Sequence, residues 1–373
     1  MPNKPRYNWY LTAFFVGTPI LALLGTAWLM WHDAIPAQTW WLALIMATLT
    51  GMSITAGYHR LYSHTTYKTC WPVDVFFAIF GACSFQGSIL EWSTDHRTHH
   101  RYVDTPKDPY NIKQGFWHAH MDWILKLDYS KRDFSNVEDL TRNPVVRFQH
   151  RFFLPIAILS SFGLPTLIAC LWNDPLGGFM IAGLLRMVVN HHFTFCINSV
   201  CHVFGKRTYT LEQTARDNWF TALFTWGEGF HNFHHQFALD YRNGIRWFHF
   251  DPGKWLIWTL RTLGLARDLK KIDDETILKY KLKAEAARLA NQPEEKISQI
   301  KQAQQAMLTK LAALKELKVN YQELKQKEYL NRVQRGAESG KAAIKELKRR
   351  IKDGQKELDM LYQEWLLSLK AIA

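Results

Sequence analysis

The sequence predicts an all-α membrane protein: four transmembrane helices and a cytosolic helical cap rich in histidine, followed by a charged helical, coiled-coil-like extension. Three observations carry this. Of 373 residues, 47% are apolar and 14% aromatic, with 16 tryptophans, a composition that suits a bilayer better than water. Mean hydropathy is nevertheless −0.22, because residues 1–265 hold the apolar runs and every histidine, whereas 266–373 are rich in Lys, Glu, Gln and Ala. Finally, Lys and Arg are distributed unevenly between the connections that join the apolar runs.

A helix needs about 20 apolar residues to cross a bilayer. Residues 9–31 supply the first span; the run is too long for a signal peptide, and no small-residue cleavage site follows it. Residues 39–58, 152–172 and 177–197 supply the others, the last carrying Arg186, His191 and His192. If that helix continues to His202 it is about 39 Å long at 1.5 Å per residue and outruns the hydrocarbon, so its polar groups can pack inside the protein instead of facing lipid. Residues 73–90 are apolar but shorter and carry Asp74, which predicts a buried or interfacial helix and no fifth span.

The connections "HDAIPAQ" and "NDPL" lack Lys and Arg, whereas residues 57–151 contain twelve. The positive-inside rule therefore puts both termini, with Lys4 and Arg6, and the long middle loop on the cytosolic side of a multi-pass protein. The five cysteines, Cys70, Cys83, Cys170, Cys196 and Cys201, form no C-x-x-C pair and read as reduced structural thiols.

The histidines then fall on one side of the membrane. "GYHRLYSH" (His59, His64) ends the second span, "DHRTHH" (His96, His99, His100) lies in the cytosolic loop, and "GFHNFHH" (His231, His234, His235) follows the fourth span. Random placement of 16 histidines would give H-x-x-H-H only about 0.03 times, yet it occurs twice. On a helix His96 shares a face with His99 and with His100, while those neighbours diverge by about 100°, so one helix can feed two separated metal ions. His59 and His64, five apart, share no ideal helical face, which predicts a helix end between them. The other histidines, His32, His118, His120, His150, His191, His192 and His249, show no repeating pattern and read as surface or packing residues.

Eight or more imidazoles exceed what one ion can use, and no H-E-x-x-H or cysteine-based zinc spacing is present. An all-nitrogen dinuclear site makes iron with oxygen chemistry the leading expectation. It differs from the soluble bundles in which Glu and Glu-x-x-His supply the ligands. A metal transporter would place its ligands at the bilayer midplane, not beyond it.

In the order "ITAGYHRLYSH", "EWSTDHRTHH", "DPYNIKQGFWHAHMDW", "NSVCHVFG" and "GEGFHNFHH", the sequence resembles the membrane-bound fatty acid desaturases, specifically the acyl-CoA delta-9 (stearoyl-CoA) branch of bacterial type. The resemblance covers residues 7–260 and implies a bacterial inner-membrane enzyme that uses O2 as co-substrate to place a cis double bond in a saturated acyl chain. It further implies that one iron takes His59, His64, His96, His100 and His234, and the other His99, His202, His231 and His235 with Asn198 through a water. Asp95 and Lys126 would hold the substrate head group, although Gly87 and Thr94 stand where the branch has an asparagine and an arginine. An acyl-lipid or acyl-carrier-protein substrate, or a related di-iron hydroxylase, is the alternative.

No haem-binding H-P-G-G or ferredoxin cysteine set is present, which predicts a separate reductase and small electron carrier. The net charge of +13 suits an acidic carrier or anionic membrane lipid; no nucleic-acid partner is expected. In the extension, Ile300, Met307, Leu311, Leu314 and Tyr321, then Ile344, Leu347, Ile351, Leu358 and Leu361, recur near heptad spacing. Gly336 and Gly340 interrupt the runs and predict a helical hairpin or two successive coiled-coil segments, with Lys318 and Lys325 spoiling the seam. Self-association or docking of the electron carrier is the expected role.

Overall fold

The computed structural model describes residues 7–32, 35–127, 132–288, 294–335 and 341–372; Lys4, Arg6, Gly336 and Gly340 therefore lie outside the described residues. The chain forms two compact units, Met1–Thr208 with Glu212–Ile272, and Tyr209–Leu211 with Asp273–Ala373. A short antiparallel strand pair, Lys68–Thr69 with Ala266–Arg267, keeps the residues just beyond 265 with the first unit.

Among the described residues, four helices of the first unit are long and apolar enough to cross a membrane: α1 (Trp9–His32), α2 (Ala37–Ser63), α6 (Phe153–Trp172) and α7 (Pro175–Val203). Between them lie α3 (Trp71–Ala82), α4 (Ile89–Tyr102) and α5 (Pro144–Arg151). After α7 come α8 (Trp219–Phe224), α9 (His231–Gln236) and α10 (Pro252–Thr262). The apolar stretch from 73 to 90 is helical in α3 only as far as Ala82, and the twelve residues of α3 are too few to span. Polar caps set the starts. Asn143 caps α5, Asp174 caps α7, and Ser88 and Glu91 form a reciprocal capping box on α4, with the Ser88 N–H donating to Glu91 Oε2 at 2.8 Å.

Arg186 is buried in α7 as expected, donating to the carbonyls of Ala182 (3.1 Å) and Cys83 (2.9 Å) and to Ser161 Oγ (2.6 Å). These acceptors satisfy a guanidinium that would be costly against lipid. His120 meets Ser199 Oγ (2.9 Å) and His192 (3.1 Å), His150 meets Ser88 Oγ (2.7 Å), and His249 stacks on Phe230 with centroids 4.6 Å apart. Exposed His32 lies over Trp28.

The helix end expected between His59 and His64 falls at Ser63, with His64 as the C-cap, yet the two rings still come to one side. Over Ser53–Ser63 α2 widens into i→i+5 turns, and the His64 N–H donates to the His59 carbonyl at 3.1 Å. The extra residue per turn brings positions five apart onto one side, so the rings of His59 and His64 sit 4.9 Å apart.

The second unit contains α11 (Asp274–Arg288), α12 (Glu294–Arg335) and α13 (Lys341–Ile372). Leu314 packs over Gly354 and Lys310 pairs with Glu357, so α12 and α13 run antiparallel as a hairpin. Ile300, Met307, Leu311, Leu314, Leu358 and Trp365 form the buried seam with Leu282 of α11. Lys318 and Lys325 are exposed. Beside the expected Tyr321, the half-buried Leu317 and Leu324 take their place, which removes the expected flaw.

Candidate metal centre

Four elements converge at one end of the bundle. The C-terminal end of α2 presents His59 and His64; α4 presents His96, His99 and His100; the C-terminal end of α7 presents His202; and α9 presents His231, His234 and His235. Their ring nitrogens sort into two groups, each with its ligand-capable atoms within 4.8 Å of one another. One contains His59, His64, His96, His100 and His234; the other contains His99, His202, His231 and His235. The adjacent pairs 99/100 and 234/235 split between the groups, as the 100° step along a helix requires.

The nitrogens crowd each other: Nε2 to Nε2 is 2.8 Å for His64–His96, 2.9 Å for His59–His234 and 3.0 Å for His100–His234. In the second group it is 3.3 Å for His99–His235, 3.1 Å for His231–His235 and 3.2 Å for His202–His231. Proton bookkeeping fails to close this second group. His99 Nδ1 faces Asp108 Oδ1 at 2.8 Å. His202 Nδ1 faces Thr214 Oγ1 at 2.8 Å, and that hydroxyl is itself committed to Asp104 Oδ1 at 2.6 Å. Both Nδ1 atoms must therefore be donors, which leaves Nε2 of each neutral ring as a bare lone pair. His235 and His231 can supply one N–H each to those lone pairs, but their own 3.1 Å contact would then join two protonated Nε2 atoms with no lone pair to accept. A cation accepting all the lone pairs removes the conflict, so the donor set fits a bound metal ion.

Electrostatics agree. Burial, then the charge each ring would place on its neighbours, holds His96, His100, His231, His234 and His235 well below the ordinary imidazole range, which keeps them neutral as ligands must be. Outside the rings stands a buried polar layer. Glu228 Oε2 lies 2.9 Å from His59 Nδ1, and the same carboxylate accepts from Arg60 (3.1 Å), Asn243 (2.7 Å) and Thr55. Asp251 takes a second Arg60 bond at 2.9 Å. Burial alone would raise the Glu228 carboxyl, but His59 and Arg60 pull it down to about 2.

The histidines open on a cavity of about 420 Å³, within the roughly 300–1,000 Å³ usual for small-molecule sites. Phe14, Phe15, Ile54, Phe85 and Trp92 make its walls mainly apolar, and His59, His96, His99, His231 and Asn198 reach it. Asp95 and Arg132 stand where it adjoins a polar cleft of about 680 Å³ that also includes Arg97, Arg101 and Asn136. Arg132 pairs with Asp95 and, at 3.3 Å, with Glu91. Lys126 pairs with Asp122 at 2.5 Å and lines neither space. Gly87 lines the cavity at φ +93°, a conformation that suits glycine better than a residue with a side chain.

Sequence reasoning named the nine histidines and Asn198 but not Glu228, Asp108, Tyr110, Thr214 or Arg132. Glu228 stands three residues before His231 and Asp108 nine after His99; that proximity to histidine was the available signal. Thr214 and Arg132 carried none, because only the folded chain brings them near.

Comparison with known proteins gives a match to the fatty acid desaturase family model over residues 36–263. A probable acyl-CoA desaturase of Schizosaccharomyces pombe is 45% identical over 75% of this chain and 58% of its own length. Acyl-CoA desaturase 1 of Saccharomyces cerevisiae is 40% identical over 72% of this chain and 53% of its own. A Delta(9)-fatty-acid desaturase of Caenorhabditis elegans is 37% identical over 74% and 83%. The chain thus spans little more than half the length of the two fungal relatives. All three relatives are eukaryotic, which lends no support to a bacterial-type branch or a bacterial inner membrane.

Proposed function

The chain belongs to the fatty acid desaturase family, and we propose that it is an O2-dependent acyl desaturase that places a cis double bond at the delta-9 position of a saturated long-chain acyl-CoA. One observation carries the reading: two sets of converging imidazoles meet a single apolar cavity. His59, His64, His96, His100 and His234 hold one iron. His99, His202, His231 and His235 hold the other, with Asn198 through a water. Bound there, the iron pair supplies the activation of O2 needed to break unactivated C–H bonds, which no side-chain acid or base can do. Overall, one O2, two electrons, two protons and two hydrogens from adjacent methylenes give the alkene and two waters.

The chain's own residues do the rest. Phe14, Phe15 and Phe85 strip water from the acyl chain and hold it, while Glu228 and Asp108 fix the orientation of His59 and His99. Asp95, with Arg132, meets the head group where the cavity joins the polar cleft; Lys126 acts there only by leaving Asp122. The protein is an integral membrane protein, and by the charge distribution its termini and metal centre face the cytosol. A separate reductase and small electron carrier supply the electrons, and the basic surface suits an acidic carrier.

Metal analysis of the purified chain together with acyl profiling of cells expressing it tests the reading. We expect about two irons per chain, from the two imidazole sets, and new delta-9 monounsaturated chains. Stoichiometric zinc from iron-replete cells with no new double bond would overturn it; chains that gain an oxygen atom would assign a hydroxylase.

A further inference from the structure

Tyr110 touches one histidine of each group. Its Oη lies 3.2 Å from Nδ1 of His96, in the first group, and its ring stacks on His99, in the second, with centroids 4.2 Å apart and planes at 27°. Its backbone N–H donates at 3.2 Å to Asp108 Oδ1, the oxygen that takes His99 Nδ1 at 2.8 Å. Asp108 is anchored in turn by the Asp104 N–H at 3.0 Å on its other oxygen. The residue is 5% exposed, and its far edge packs on Trp123, with centroids 4.9 Å apart. His96 is clamped on its other side by Trp92, stacked at 4.8 Å and 25°.

We propose that Tyr110 is a positioning residue that fixes the two metal sites relative to each other, through one hydrogen bond to the first and one stacked face on the second. The inference rests on the two-iron reading above. With Nε2 of His96 given to a metal, its Nδ1 carries the proton and donates to Tyr110 Oη. A rotation of His96 about its side-chain bonds then costs that bond, and a tilt of His99 costs the stack and the Asp108 contact together. Because one rigid ring serves both, neither imidazole can shift without straining the other's support. The same bond turns the phenolic hydrogen away from His96, toward the cavity that Tyr110 lines.

Removing the two contacts separately gives the test. Tyr110→Phe keeps the stack and removes the hydroxyl; Tyr110→Leu removes both. Full-length wild type and both variants are loaded with iron-57, and metal content, Mössbauer spectra, the rate of product formation and product formed per O2 consumed are read. For Tyr110→Phe we expect two irons retained, a changed quadrupole splitting at one iron only, product per O2 reduced, and a rate of product formation lower by about tenfold, the lower end of the range for losing a residue that supports a ligand. For Tyr110→Leu we expect changes at both irons and a larger loss. If wild type binds no iron, the two-iron reading itself fails. If wild type binds two irons while Tyr110→Phe shows both wild-type signals and wild-type coupling, the positioning role is overturned. Identical spectra for Phe and Leu variants would overturn it too, because two separable contacts could not then be at work. Trp123→Leu, which disturbs the packing behind Tyr110 without touching a histidine, should leave both iron signals in place; a one-iron change there like that of Tyr110→Phe would reduce the effect to packing.

Discussion

The two units of this chain bury opposite kinds of residue. In the membrane unit many leucines face outward, Leu171 being 83% exposed, while Arg60, Glu228, Asp251 and most histidines of the two metal groups are buried. In the C-terminal unit leucines, Met307 and Trp365 are inside, and lysines and glutamates cover the surface. The difference follows from the solvent. Against lipid an outward leucine costs nothing, so the interior is free to hold polar groups, provided each has a partner. Against water the apolar side chains must supply the stability by burying themselves. A polar interior stabilises poorly, and its presence in the membrane unit is therefore a mark of chemistry.

The largest effect that would sharpen this contrast comes from the polar interior itself. His99→Ala and His234→Ala each remove one imidazole from a different group, and both should lose bound iron and drop product formation below detection. His32→Ala, at an exposed ring resting on Trp28, should keep both. Iron content and acyl profiles of the three variants check this; a dead His32→Ala beside an active His99→Ala would break the assignment of the interior.

Next in size is Glu228→Ala. It leaves Asp251 as the carboxylate paired with Arg60 and removes the acceptor facing His59. Breaking one partner of a buried ion pair costs about 3–5 kcal/mol, so a sharply lower unfolding midpoint in detergent is expected. Glu228→Gln, which keeps the shape, should lose less. Equal midpoints for Glu228→Ala and wild type would mean that the buried charges are not the framework they are taken for.

These two tests also mark how far the sequence could be read. The four spans, the boxes and the helical tail were legible from apolar runs, H-x-x-H-H and heptads, although the heptads left a hairpin and two successive segments as alternatives. The relation of His59 to His64 was not legible, since it depends on a local widening of α2 that no residue spacing announces. The partners of the ring Nδ1 atoms were equally hidden, because Thr214 reaches His202, and Glu228 reaches His59, across gaps of 12 and 169 positions. The lysines at the predicted seam of the tail misled for the opposite reason. A heptad projected from Leu311 puts Lys318 and Lys325 in the seam, whereas the partly buried positions are their neighbours Leu317 and Leu324, beside the in-phase Tyr321.

A smaller effect tests whether the support of α9 is itself electrostatic. Asp217 accepts the Phe233 N–H at 3.0 Å, and burial pushes its carboxyl up to about 7, above the roughly 3.9 of an unfolded chain. Between those values the folded chain holds a proton that the unfolded chain has released. The contribution to stability is therefore full below about pH 4 and is lost as pH rises through 7. Asp217→Asn, which cannot titrate, should flatten the fall of the unfolding midpoint between pH 5 and 8. Equal slopes for the variant and wild type would remove Asp217 from the account.

The smallest expected effect on the metal centre lies in the other unit, where it should be nil. Leu314 is buried in the α12–α13 seam against Gly354, beside Met307, Leu311 and Leu358. Leu314→Ala removes apolar contacts from a narrow seam with little else to hold it, at a cost of about 2–5 kcal/mol if the gap does not collapse. The hairpin should melt early, seen as loss of helical signal at a temperature where the membrane unit stays folded. Iron content and product formation at saturating reductase should be unchanged, because residues 266–373 contain no histidine and the two units have separate cores. A chain ending at Ile272 should behave likewise toward iron, and any loss of oligomer mass or of efficient coupling to the reductase would then belong to the tail. Were Leu314→Ala to strip the iron, the contrast would fail at its root: the apolar seam would be sustaining the polar interior, and the two units would be a single cooperative structure.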